Sequence, residues 1–430
     1  MKKIISLIIV CTIIISGMFI YKNDNKKTFT DDNNAGPIIA AFIDGEESTT
    51  FPTNSKYVAT VECTKNGVKQ NVGAKATWNG TKWVVSIDDI SAGNVRCSAN
   101  FISSTLTNLI LTNNKVKEPL TTPDERVSDE NEALLASTED DYGTSYYFRG
   151  NVKNNYVQFA NKCWRIVRIT GNNSVKLVLH NDNTSNVTNP CSSVNNSDAA
   201  AFAHNDGTSY GNYFNEQAED NAYVGFMYGT AGSSSYESTH ANVNKSSILI
   251  SLETWYENNL ASYEDKLADT IWCNDKSTAD LGYGTNASSY GAESREDSPS
   301  LICPKDKNGG NLSKFTVSDT TNGNGDLTYK IGLLTADEVI FAGLRFQHGA
   351  VPENYSTYLN ENVGDDRYWW TMTPNSFAYG IAFVYFVADG ALNNINTWND
   401  DTGIRPAISL VSGIEVTSGT GTSEDPYVVN

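Results

Sequence analysis

The chain has 430 residues, 39% of them hydrophobic and 11% aromatic, enough for two or three domains with packed cores and too apolar for a disordered polymer. Charge is sparse at 19% and lopsided, 50 acidic against 31 basic residues, for a formal net charge of −19. No Lys/Arg cluster offsets it, so phosphate backbones are repelled and nucleic acid is not expected as a partner.

Lys2 and Lys3 precede an apolar run from Ile4 to Tyr21, which Lys22, Lys26 and Lys27 close. Eighteen residues in a helix are just enough to cross the hydrocarbon, with the lysines snorkelling at both ends. The only small-residue cleavage site, after Ile15-Ser16-Gly17, is poor, and no small residue precedes Cys11. Residues 1–27 therefore read as an uncleaved signal anchor, giving a single-pass membrane protein with its bulk outside the cytoplasm at the cell surface. Of seven cysteines Cys11 lies in this run, leaving an even six without any C-x-x-C pair, as suits an oxidising compartment. Near-neighbour pairing is expected: Cys63–Cys97, Cys163–Cys191 and Cys273–Cys303. Each pair closes a loop of roughly 30 residues, worth about 3 kcal/mol in the chain-entropy model.

After a polar spacer over 28–36, residues 37–103 alternate with period two: Tyr57 to Cys63, Ala76 to Trp78, and Trp83 to Ile87. Asn79-Gly80 marks a hairpin, because both residues tolerate the positive φ of a tight turn. With Cys63 and Cys97 near strand ends and two tryptophans to pack on their bridge, this reads as a small Ig-like β-sandwich. Residues 104–141, rich in Asp, Glu, Thr and Pro from Asn113 onward, read as an acidic linker. The second domain, 142–430, opens with four strands: Ser145–Gly150, Tyr156–Ala160, Trp164–Ile169 and Val175–Leu179. Ser247 to Leu260 follows as a helix with Leu249, Leu252, Trp255, Tyr256 and Leu260 on one face. Thr335-Ala336-Asp337-Glu338 is a capping box that starts a short helix, and Gly343 can end it. Strands return at Trp369–Met372, Ile381–Val387 and Ile404–Leu410, which makes an α+β plan.

The ordered motifs Tyr147-Phe148-Arg149-Gly150, Asn154-Asn155-Tyr156-Val157, Cys163 to Ile169, Leu333 to Glu338, Trp370 to Pro374 and Gly403-Ile404-Arg405-Pro406-Ala407 resemble a family of uncharacterised surface domains. These occur widely in Gram-positive-type bacteria, often behind a membrane anchor and a small β-module. More distantly the domain resembles the C-type-lectin-like fold shared with formylglycine-generating enzymes. That resemblance implies a loop-rich α+β domain whose first and last strands pair. It transfers no activity: formylglycine-generating enzymes use paired cysteines late in the domain, and no cysteine follows Cys303.

Trp398-Asn399-Asp400, just before the last long strand, resembles the motif with which calcium-dependent lectins supply oxygen ligands. Calcium is thus the one cofactor to consider, with Asp400, Asp401 and Glu353 as its ligands. The companion Glu-Pro-Asn appears only out of order, as Val351-Pro352-Glu353-Asn354, and the plain alternative is a turn over a packed aromatic. Gly207-Thr208-Ser209-Tyr210-Gly211 fits a serine nucleophile elbow, but no β-branched strand runs into it and the segment after it is polar. The four histidines form no metal spacing, Asp319 to Asp326 lacks the closing glutamate of a calcium loop, and Arg405 reads as a structural arginine. The expected function is non-catalytic binding or adhesion. The ligand would be an extracellular glycan or protein met by loops 352–402 through Tyr355, Tyr358, Tyr379, Trp398 and Asn399. The rivals are a hydrolase or transferase working through Asp365, Asp366, Asp400 and Asp401, and a structural envelope or pilus-like component.

Overall fold

The computed structural model describes residues 38–89, 95–120, 127, 131–204, 211–278, 289–304, 310–346, 357–361, 363, 368–388 and 390–430. The chain divides into two compact units, Met1–Ser104 and Thr105–Asn430.

The smaller unit contains β1 (Ile38–Ile43), β2 (Glu46–Ser48), β3 (Tyr57–Lys65), β4 (Val68–Gln70), β5 (Lys75–Trp78), β6 (Trp83–Ser86) and β7 (Arg96–Ser103). Five strands form one sheet in the order β2-β1-β7-β3-β4, with β1 parallel to β7, and β5 and β6 form a separate hairpin. Asn79 closes that hairpin, its side-chain oxygen accepting the backbone N–H groups of Thr81 and Lys82. Trp83 packs edge-on against Phe101 and Trp78 in a core that includes Ala41 and Ala99. The Ig-like expectation is corrected by the register. Cys63 and Cys97 face each other on adjacent strands of one sheet and are bonded there, whereas an Ig bridge ties two sheets together.

The larger unit starts earlier than the sequence suggests. Thr105 caps α1 (Leu106–Asn113), whose Leu106, Leu109 and Ile110 are buried at helical spacing, and β8 (Ala133–Asp140) follows. Much of the expected linker is thus part of this unit's core. Next come β9 (Gly143–Gly150), β10 (Tyr156–Phe159), β11 (Lys162–Ile169) and β12 (Val175–Asn181). Short elements follow: β13 (Met227–Tyr228), α2 (Tyr236–His240), β14 (Asn244–Lys245), α3 (Ser247–Asn259), β15 (Trp272–Cys273), β16 (Lys314–Phe315) and α4 (Ala336–Phe341). The chain finishes with β17 (Trp369–Ala378), β18 (Ile381–Ala388), β19 (Ala391–Asn396), β20 (Ala407–Leu410) and β21 (Tyr427–Val428). The central sheet runs β20-β12-β11-β10-β21, with β9 bonded to the end of β11 and β8 to β9. A second sheet is the meander β17-β18-β19. The Cys163–Cys191 and Cys273–Cys303 disulfides complete the near-neighbour set.

Two further expectations are corrected here. The α+β, C-type-lectin-like plan gives way to a mostly β structure, 36% strand and 16% helix. The helical patterns were real, but three of the four α-helices among the described residues have eight residues or fewer. The first strand of the unit, β8, pairs with β9, while the last, β21, pairs with β10, so first and last are not partners. The single-pass membrane location is corrected as well: among the described residues no helix is long and apolar enough to cross a membrane. The longest, α3, has 13 residues and spans roughly 20 Å against a hydrocarbon core of about 30 Å. The apolar run 4–21 with Cys11 lies outside the described residues.

Candidate functional site

The meander β17-β18-β19 brings the surviving candidates together. Ala378 pairs with Ile381, leaving Tyr379-Gly380 as a two-residue turn, and both turn residues have positive φ, 55° and 78°. That is the geometry a tight hairpin demands, but glycine or asparagine normally supplies it. Here the first position is a tyrosine 99% exposed to solvent. Phe383 pairs with Asn396, and the Thr397 N–H donates to the Ala382 carbonyl, so the segment after β19 returns to the same end of the sheet. Trp398 stands there, 42% exposed, with Phe377 and Ile395 only partly buried nearby on the same sheet.

The loop carrying Trp398 is held at both ends. The Asn215 N–H donates to the Thr397 carbonyl, and the Asn212 N–H to the Thr402 carbonyl. Between them Asn399 makes its own turn, its side-chain oxygen accepting from the Asp401 N–H at 3.2 Å and the Thr402 hydroxyl at 2.8 Å. The Asn399 oxygen is therefore engaged inside the loop, whereas Asp400 and Asp401 point their carboxylates to an exposed surface. Two exposed aromatic rings and two exposed aspartates thus stand at one end of the meander.

Tyr358 does not belong to that edge. It lies in a 3-10 turn with its ring fully buried, which corrects its expected place on the recognition face. A tyrosine next to Leu359 between polar residues looks loop-like in sequence, yet both side chains fill the core. Tyr355, Glu353, Asp365, Asp366 and Ser209 lie outside the described residues. Among the described residues no group of three or more His, Cys, Asp or Glu side chains is gathered in a form that could hold a metal ion. Asp319 accepts the Thr321 and Asn322 N–H groups, so that segment is a capped turn. His180 and His240 are buried, and burial, with Lys276 adding, pushes His240 down to about 3.

Two clusters escaped the sequence reading because their members are far apart in the chain. A polar cavity of about 330 Å³ is lined by Asn181, Asn183, Ser185, Asn195, Asp198 and His204, among others. Beside it, Asp182 pairs with Lys162 at 2.6 Å and accepts from the His204 and Trp255 ring nitrogens. The second cluster is wholly internal. Glu338 of the capping box takes Arg168 at 2.9 Å and Lys176 at 2.6 Å, and Arg168 also pairs with Asp140. Burial opposes the Glu338 charge, but Lys176 and Arg168 outweigh it and hold the carboxyl at about 2. Burial lowers Lys176 to about 8. The motif arginines thus serve the interior: Arg149 pairs with Glu132, and Arg165 with Glu361.

Residues 305–412, which contain α4, the meander and the Trp398 loop, match the model of a domain of unknown function (DUF6273). No curated protein and no solved structure matches the chain.

Proposed function

We propose that this chain is a non-catalytic binding protein that takes a polar ligand, of glycan or polar-peptide chemistry, at the Tyr379–Trp398 edge of the meander. The observation that carries the reading is Tyr379. A bulky residue in the left-handed region costs on the order of 1–3 kcal/mol, and such strain is characteristically retained at ligand-contacting positions. The ring at that tip covers nothing of its own fold, being 99% exposed, so packing gives no reason for an aromatic there. Trp398 supplies a second exposed ring at the same end, beside Asp400 and Asp401. Aromatic faces flanked by hydrogen-bonding groups suit ligands that are polar at the edges and apolar on one face. Three disulfides equip the protein for an oxidising compartment, where such ligands are displayed.

Screening the full chain against glycan and peptide arrays tests the reading, with Tyr379→Asn and Trp398→Ala as controls. Both residues lie outside the paired strands. Each substitution is expected to weaken binding of any hit at least about tenfold, in line with the loss of an aromatic anchor. A hit retained at full strength by both variants would move the binding surface elsewhere.

A further inference from the structure

Arg405 differs from the other motif arginines. Among the described residues no carboxylate pairs with it. Its Nε donates to the Leu179 carbonyl at 2.8 Å and its Nη1 to the Leu359 carbonyl at 2.6 Å, while Nη2 is buried with no hydrogen-bond partner. Two neighbouring donors are in the same condition: the Tyr358 hydroxyl and the Trp369 indole N–H, on side chains that are 0% and 1% exposed. The Arg405 guanidinium lies 5.1 Å from the Trp369 ring centre, and its bond to Leu359 sets it beside Tyr358.

The surrounding charge is unbalanced. The Arg165 guanidinium is the other buried cation, 3.8 Å from the Tyr156 ring centre and 5.3 Å from that of Tyr358. Among the described residues two carboxylates act on the cluster: Glu361, already engaged by Arg165, Lys153 and the Tyr156 hydroxyl, and Glu338, which acts on Tyr358 while paired with Arg168 and Lys176. Burial, with both arginines adding, keeps His180 well below its usual range and hence neutral. Burial also holds the Tyr358 phenol protonated, as a donor. Burial first, then Arg165, pushes Arg405 down to about 9, so it stays charged at neutral pH, with a distant Glu361 that is already paired with Arg165 as its partial offset.

We propose that Arg405 Nη2, Tyr358 Oη and Trp369 Nε1 together hold a small monovalent anion of the halide class, enclosed when the larger unit folds. A water molecule would accept these hydrogen bonds but would leave the excess positive charge uncompensated, which is the costlier deficit in a dry interior. Full burial of the three side chains argues for an ion of halide size over a bulky oxyanion.

Bromide is the probe. With the full chain at constant ionic strength, replacing sodium gluconate by sodium bromide should raise the melting temperature progressively, since the ion binds only the folded state. Tyr358→Phe keeps the ring and removes one donor, and it should flatten that response at least threefold. Crystals grown in bromide should show an anomalous peak within hydrogen-bond reach of Arg405 Nη2. An ordered water there without anomalous signal, bromide peaks confined to the surface, or an equal bromide response in Tyr358→Phe would each overturn the site.

Discussion

Strand β11 and the tip of the β17–β18 hairpin invert the usual distribution of residues. All eight residues of β11 are buried, although Lys162, Arg165 and Arg168 are among them. The hairpin tip carries no charge and turns an aromatic ring into solvent. Buried cations and an exposed tyrosine are the informative departures from the rule that apolar groups go inside. The departures have different causes. Each cation on β11 is met by a carboxylate, Asp182, Glu361, or Asp140 with Glu338, so its charge is compensated within the fold. Nothing inside the fold compensates the strain at Tyr379. The first region explains stability, and the second is where the proposed ligand would act.

Glu338 offers the strongest way to break that contrast. Glu338→Ala would leave two buried cations, Arg168 and Lys176, with Asp140 as their one remaining carboxylate, and Lys176 with no ion pair. The expected loss is about 3–5 kcal/mol by chemical denaturation. A loss below about 1 kcal/mol would show that the buried charges relax to water.

Acid sharpens the same point. Glu338 and Glu361 are both held at about 2, below the ordinary value of 4.5; Glu361 is lowered by Arg165, Lys153 and Tyr156 against the effect of burial. A depressed folded value means that their contribution is present above pH 4.5 and lost as pH falls toward 2. It should amount to roughly 3 kcal/mol each. Asp337 works the other way: burial raises it to about 6, so its contribution is present below pH 3.8 and lost as pH rises through 6. Stability measured from pH 7 downward should therefore rise as pH falls through 6, where Asp337 protonates in the folded state, and drop below about pH 4.5. Glu361→Gln should shrink that drop, and an unchanged acid limb in the variant would remove Glu361 from the account.

The smallest expected effect lies at the other pole. Asparagine tolerates the left-handed region, so Tyr379→Asn should raise stability by about 0.5–1 kcal/mol while removing the exposed ring. Thermal unfolding measures it. A destabilised variant would mean that the tyrosine supports its own fold, and the case for a ligand there would weaken.

What could be read from the sequence was local. The Asn79-Gly80 turn, the Thr335–Glu338 capping box and the apolar face of α3 are all set by spacings of four residues or fewer, and near-neighbour cysteine pairing follows from loop length. The balance of helix and strand was misjudged because a capping box announces where a helix starts and says little about how soon it stops; α4 ends after six residues. The linker was misjudged for a similar reason. Three apolar side chains, Leu106, Leu109 and Ile110, are a weak signal in polar surroundings, yet they are buried. Of the residues expected on the recognition face, Trp398 and Tyr379 are exposed, whereas Tyr358, picked by the same compositional reasoning, is buried. Polarity of neighbours does not reveal whether a 3-10 turn presses its ring inward. Lys162 with Asp182, and Arg168 with Lys176, become neighbours through the register of β11 and β12, and His204 and Glu338 reach them from segments farther along the chain, which no local pattern encodes.

The order of strands in the central sheet governs when this protein can fold. Both edges of the β20-β12-β11-β10-β21 path come from the last 24 residues of the chain, β20 on one side and β21 on the other. During synthesis β10, β11 and β12 are complete long before either flank exists, and their outer hydrogen-bonding groups stay open until residues 407–428 arrive. Pairings so distant along the chain form slowly, and open strand edges invite pairing with other molecules meanwhile. A chain that stops before Tyr427 lacks the strand that covers β10, and one that stops before Ala407 lacks both. The central sheet of the larger unit can therefore close only once residues 407–428 have been made.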